Sequence, residues 1–200
     1  MTDMLDVEVI ADPAAAVSAL DPIRSRLLAE MSEPASAATL AARLGIARQK
    51  VNYHLRALED HHLVAAAGER QWGGLKERLL VATAATYVVC PGALGPVAID
   101  PDRSDDRLSV SYLIALSARA VREAGELWRA ARTNNKRLAT LSIDTAISFR
   151  SPADRAAFTR ELSNAVTSLA ARFHDESDSQ SRSYRLMVAA YPMPSEDAKC

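Results

Sequence analysis

Four basic side chains, Arg43, Arg48, Lys50 and Arg56, fall between residues 34 and 58, and no acidic residue falls among them. Lys and Arg neutralise nucleic-acid phosphates, which supplies the sequence-independent part of DNA affinity. Three of the four sit in the run RQKVNYHLR, where Gln49, Asn52 and Tyr53 are interleaved with them. Arg can bond guanine in bidentate fashion, and Gln or Asn can do the same with adenine. Arg48, Gln49, Lys50, Asn52 and Tyr53 are therefore candidate contacts to base edges, and Arg56, further along, is a candidate phosphate contact. Downstream, Arg70, Gln71 and Lys76 flank a Gly-containing tip (GERQWGG) and are placed to reach the minor groove or its backbone. His54, between Val51 and Leu58, reads as a packed core histidine.

Such side chains need a rigid frame. In TLAARLGIARQKVNYHLRALEDHHLV (39–64), Ala41, Gly45 and Val51 supply three things: a small residue where two helices touch, a turn glycine and an apolar anchor. Leu40, Leu44, Ile46, Leu55 and Leu58 complete an apolar frame at helical spacing. The pattern predicts a helix over 37–44, a second over 47–61, and a hairpin of strands 63–67 and 75–83. Upstream, LDVEVI (5–10) alternates as a short strand does. Asp12-Pro13 and Asp21-Pro22 each read as an N-cap followed by proline at the first helical position.

LDPIRSRLLAEM followed by the 39–64 segment resembles the ArsR-like winged-helix transcriptional regulators, in an Ala- and Arg-rich branch, over residues 20–90. The resemblance implies a recognition helix at 47–60, a wing near 63–82, a homodimer, and repression relieved by an inducer. Members of that family end soon after the wing, whereas more than 100 residues follow here. Their metal-sensing members use a Cys-x-Cys pair near the recognition helix or Asp/His sets on the last helix, and this chain has neither.

The remainder divides at PGALGPVAIDPDRSDD, rich in Pro, Gly and Asp, which reads as a linker. The expected organisation is a DNA-binding domain at 1–90, a linker at 91–107, and a C-terminal dimerisation and ligand-sensing domain at 108–200. An amphipathic helix over 109–134 suits dimerisation. A strand at 138–149, a helix from Pro152 to Phe173 and a strand at 184–191 would follow. The fold class expected is α+β: a winged helix-turn-helix domain, a long dimerisation helix and a small α/β C-terminal domain. Aromatic residues gather in this half, so Tyr112, Trp128, Phe149, Phe158 and Tyr184 are candidate contacts for a small organic effector.

Composition sets bounds on all this. The 200 residues carry a net charge of −1, 48% hydrophobic residues and 10 aromatics. The near-zero charge averages seven acids and two arginines in residues 1–33 with the acid-free basic stretch. Two cysteines, Cys90 and Cys200, make no disulfide framework or redox motif. No signal-peptide pattern, no membrane-spanning run and no nucleophile, metal or phosphate-loop motif is evident. The expectation is a cytoplasmic, non-enzymatic regulator with no metal or other cofactor, binding a double-stranded DNA operator and a second copy of itself. The alternatives are a winged-helix protein-interaction module that does not bind DNA, and a metal-responsive ArsR-type sensor.

Overall fold

The computed structural model describes residues 4–72, 74–175 and 181–194, with nothing stated of the side chains of Trp72 and Leu75. It forms two compact units, residues 1–138 and 139–200. Among the described residues no helix is long and apolar enough to cross a membrane.

The first unit opens with β1 (Leu5–Ile10), α1 (Pro13–Leu20) and α2 (Pro22–Ala29). Both predicted caps form. The Asp12 carboxylate accepts from Ala15 N–H at 2.7 Å, and Asp21 accepts from Ile23 and Arg24 N–H at 2.9 and 3.0 Å. Proline at the first position costs these helices nothing, because that N–H has no intrahelical partner. β2 (Ala35–Ser36), α3 (Ala37–Leu44), α4 (Arg48–Asp60), β3 (Val64–Trp72) and β4 (Leu75–Ala82) follow. The three strands form one antiparallel sheet in the order β2-β4-β3. Leu27, Met31, Leu40, Val51 and Leu58 are fully buried between the helices and this sheet.

β5 (Ala84–Val89) pairs in parallel with β1, a strand that the hydrophobic pattern does not announce. Only Thr83 separates β4 from β5, and it is held on several sides. Its N–H donates to the Leu63 carbonyl at 3.0 Å and its carbonyl accepts from Leu5 N–H at 2.9 Å. The Tyr87 hydroxyl bonds the Leu63 carbonyl at 2.8 Å and accepts from Ala84 N–H at 3.1 Å.

Residues 91–107, expected to link two domains, lie inside the first unit. Tight 3-10 turns over Pro91–Val97 and Pro101–Arg103 use the prolines, Pro101 is buried, and Arg119 bonds Asp100 at 3.1 Å. Arg119 belongs to α5 (Val110–Thr133), which lies along β1. Ala115, Ala118 and Gly125 are buried on that side. Arg129 also turns inward, with Nε 3.1 Å from Glu8 and Nη2 donating to the Val9 carbonyl at 3.1 Å. Elsewhere around α5, larger apolar side chains are open: Val110 is 71% exposed, and Ile114 and Leu127 are each about half exposed.

The second unit contains α6 (Pro152–Phe173), started by Ser151, whose hydroxyl accepts from Asp154 N–H at 3.1 Å. The expected strands at 138–149 and 184–191 are not formed: neither segment carries regular structure or a ladder partner. The α/β arrangement expected of the C-terminal half is thus reduced, among the described residues, to a helix flanked by unpaired segments. Strand-like alternation supplies one face to bury, but a strand exists only where a neighbour pairs its backbone.

Candidate nucleic-acid interface

α3 ends at Gly45, whose left-handed backbone (φ 65°) closes the helix; the Ile46 N–H then turns back to the Ala41 carbonyl at 3.1 Å. Glycine reaches that conformation without a Cβ penalty. α4 starts at Arg48 with Ala47 as its N-cap, and no side chain caps it. Its first N–H groups are left to solvent or to an anion, and the helix dipole favours the latter.

The period of 3.6 residues divides α4 cleanly. Val51, His54, Leu55 and Leu58 face inward and are buried. Arg48, Gln49, Lys50, Asn52, Tyr53 and Arg56 are all exposed, so the six proposed DNA contacts on this helix share its solvent side. Tyr53 is 68% exposed, an unusual position for an aromatic ring. His54 packs edge-on to Tyr53, with ring centroids 5.3 Å apart. Its Nδ1 lies 3.9 Å from the Asp21 carboxylate, and the ring lies among apolar core residues, as its sequence context suggested.

The hairpin places its bases differently from the helix. Arg70 faces Glu77 across the ladder and bonds it at 3.0 Å, while also reaching the Thr39 hydroxyl of α3 at 3.4 Å. Hydrogen bonds from Arg70 and then Ser36 hold the Glu77 carboxyl below its ordinary value of 4.5. Lys76 lies 3.4 Å from Glu69. Gln71 is opposite Lys76 in the register and exposed. Two of the three hairpin residues are therefore ion-paired within the hairpin, and Arg48 at the start of α4 also helps to hold the Glu77 carboxyl down.

Sequence reasoning did not single out the residues that hold these elements together. Arg78 of β4 forms a two-bond fork with Glu59 of α4, one bond at 2.8 Å, and fixes the helix against the sheet. Ser36 and Thr39 tie β2, the start of α3 and Arg70 into one cluster. No local pattern marks the Arg78–Glu59 and Arg70–Thr39 pairs, which join residues 19 and 31 positions apart, whereas Ser36 reads locally as the cap of the 37–44 helix.

The candidate effector contacts are spread across both units. Tyr112 and Trp128 lie on α5, about 24 Å apart along its axis. Trp128 lines an open depression of about 430 Å³ with Arg132, Asn135, Lys136, Arg137 and Leu138. In the second unit Phe149 and Phe158 meet at 5.3 Å, and Tyr184 is 73% exposed. Only Phe149 and Phe158 are brought into contact. Among the described residues no three His, Cys, Asp or Glu side chains come together as a metal site, and Cys90 is free and buried.

A family model described as a helix-turn-helix domain matches residues 19–65. That span contains α3 with its Ser36 cap, the Gly45 turn and the whole exposed face of α4. No curated protein matches the chain. The chain thus carries a helix-turn-helix domain in a mixed helix-and-strand fold, and such a domain suggests a DNA-binding regulator.

Proposed function

We propose that the protein is an ArsR-like winged-helix transcriptional regulator, a repressor that binds a pseudo-palindromic operator as a homodimer and leaves it when a small organic effector binds. α4 enters the major groove and the β3–β4 hairpin is the wing. One observation carries this reading: Arg48, Gln49, Lys50, Asn52, Tyr53 and Arg56 are all exposed on α4, within a stretch, residues 34–58, that holds no acid. An acid-free basic face at a helix-turn-helix is the electrostatic footprint of DNA binding. The exposed apolar side chains of α5, Val110, Ile114 and Leu127, support the homodimer, since a second copy would cover them; helix-turn-helix dimers bind half-sites about one DNA turn apart. The depression beside Trp128, with Arg132 and Lys136 on its rim, supports an aromatic effector of negative charge. The activity is cytoplasmic and non-enzymatic.

The test is a gel shift over a salt series with DNA flanking the protein's own gene. Arg48→Ala or Gln49→Ala relaxes base preference at one position in each half-site, at a cost of about 1–3 kcal/mol. Arg56→Ala weakens all sequences alike and lowers the salt slope by about one for each subunit. A parent protein that gives no salt-dependent shift is instead a protein-interaction module. Base preference unchanged in Arg48→Ala would remove that side chain from the groove.

A further inference from the structure

Residues 139–149 of the second unit are built for pairing and are unpaired. Ala139, Leu141, Ile143, Thr145, Ile147 and Phe149 occupy alternate positions, with Thr140, Ser142, Asp144 and Ser148 between them. A period of two is that of a strand with one buried face. Here that face is open: Leu141 is 84% and Ile143 82% exposed. Among the described residues no backbone hydrogen bond joins 139–150 to another segment. Such a row of free N–H and C=O groups is a template for another strand.

The unit also lacks a core of its own, since α6 has no buried residue. Leu141, Ile143, Phe173, Tyr184, Leu186 and Tyr191 are each at least two-thirds exposed. At roughly 150 Å² or more for each large side chain, they expose on the order of 1,000 Å². A stable interface takes about 800 Å² from each partner.

We propose that the occupant is a second copy of this chain, and that the two 139–149 segments pair antiparallel about a two-fold axis at Thr145. The register follows from the side chains. Centring on Thr145 sets Leu141 opposite Phe149, Ile143 opposite Ile147 and Thr145 opposite itself, so like meets like on the apolar face; on the other face Ser142 meets Ser148 and Asp144 meets Ala146, which keeps the two carboxylates apart. Centring on Asp144 sets two carboxylates face to face and leaves Ile143 opposite Thr145, which is unfavourable on both counts. An isologous contact needs this self-complementarity, and few strand sequences have it. The proposal rests on the homodimer reading and adds a second contact, separate from α5.

Single cysteines in the full chain, with Cys200→Ser as background and the buried Cys90 kept, test the register. Under mild oxidation Thr145→Cys gives a covalent species of twice the chain mass, because residues opposite each other in a ladder meet the spacing a disulfide requires. Ser142→Cys and Ser148→Cys each remain single chains, since each lies about 20 Å along the ladder from its own copy. A mixture of these two proteins cross-links. A chain that sediments as a dimer yet forms neither the Thr145→Cys species nor the mixed one overturns the strand pairing and leaves the α5 dimer standing. A chain that sediments as a monomer at the cross-linking concentration overturns both. Cross-linking by Ser142→Cys alone means parallel pairing and refutes the two-fold register.

Discussion

Asp21 shows how much one side chain does in this molecule. Its carboxylate accepts from Ile23 and Arg24 N–H at the start of α2, with the ring of His54 on the inner side of α4 3.9 Å away. The Arg24 N–H above all, and then that of Ile23, hold its pKa below the ordinary 3.8 against the opposing effect of burial. A depressed folded-state value means that the stabilisation is present above about pH 4 and is lost as pH falls through the folded value. Asp21→Ala should therefore cost about 1–2 kcal/mol in urea unfolding at pH 7. Asp21→Asn keeps the acceptor, so it should recover much of that loss and flatten the acid limb of the stability profile. Glu8 has the opposite sign. Burial raises its carboxyl above 4.5, so its contribution favours the fold below that value and fades as pH rises through the raised one. At this scale the sequence was informative where the relevant partner is local. The Asp-Pro caps and the exposed face of α4 follow from neighbours within four residues. The balancing of Arg70 by Glu77, directly opposite, and of Lys76 by Glu69, diagonally across, depends on the register of the hairpin.

Helix α5 buries small residues, Ala115, Ala118 and Gly125, against its own unit and leaves larger apolar ones, Val110, Ile114 and Leu127, in the open. Arg119 and Arg129 reach inward to Asp100 and Glu8, and Gly125 lets the helix backbone approach β1. A Cβ at position 125 would lie 2.6 Å from the Val9 Cβ. Gly125→Ala should thus lower thermal stability despite its better helix propensity, by about 1–3 kcal/mol of overpacking. Leu127→Lys should behave differently. Its side chain is already 55% exposed, so unfolding should change by no more than about 0.5 kcal/mol, while the proposed homodimer, losing its α5 contact, should dissociate at a higher protein concentration in sedimentation. The existence and length of this helix were legible from its apolar stripe. Its orientation was not, because the stripe reports a face to be covered and says nothing of what covers it. The same ambiguity explains residues 138–149 and 184–191, where alternation correctly marked segments with a face to bury but did not supply a partner. β5 went unread because AATYVV follows β4 after a single residue and has no turn signal in front of it.

For the molecule as a whole, every buried hydrophobic residue among those described lies between Val9 and Ala118. Residues 1–138 should fold alone, and a chain ending at Leu138 should keep a single cooperative transition by calorimetry. Multiple transitions in that fragment would mean that the first unit depends on the second. The domain boundary expected at 91–107 illustrates what composition reports. Pro, Gly and Asp mark irregular backbone, and the backbone there is irregular, but the same Asp residues are partners for an arginine 17 to 19 positions ahead. Irregular is therefore not the same as unattached.

The single-residue joint at Thr83 bears on how this chain can change length. Strand faces alternate, so one added residue between Ala82 and Ala84 would exchange the inward and outward sides of β5. It would also pull apart the Leu5, Leu63 and Tyr87 bonds gathered there. The stretch from Asp105 to Leu108, exposed throughout, has no such constraint and can take several extra residues at little cost. Insertions and deletions that survive in related chains should accumulate before α5 and be excluded from the joint between β4 and β5.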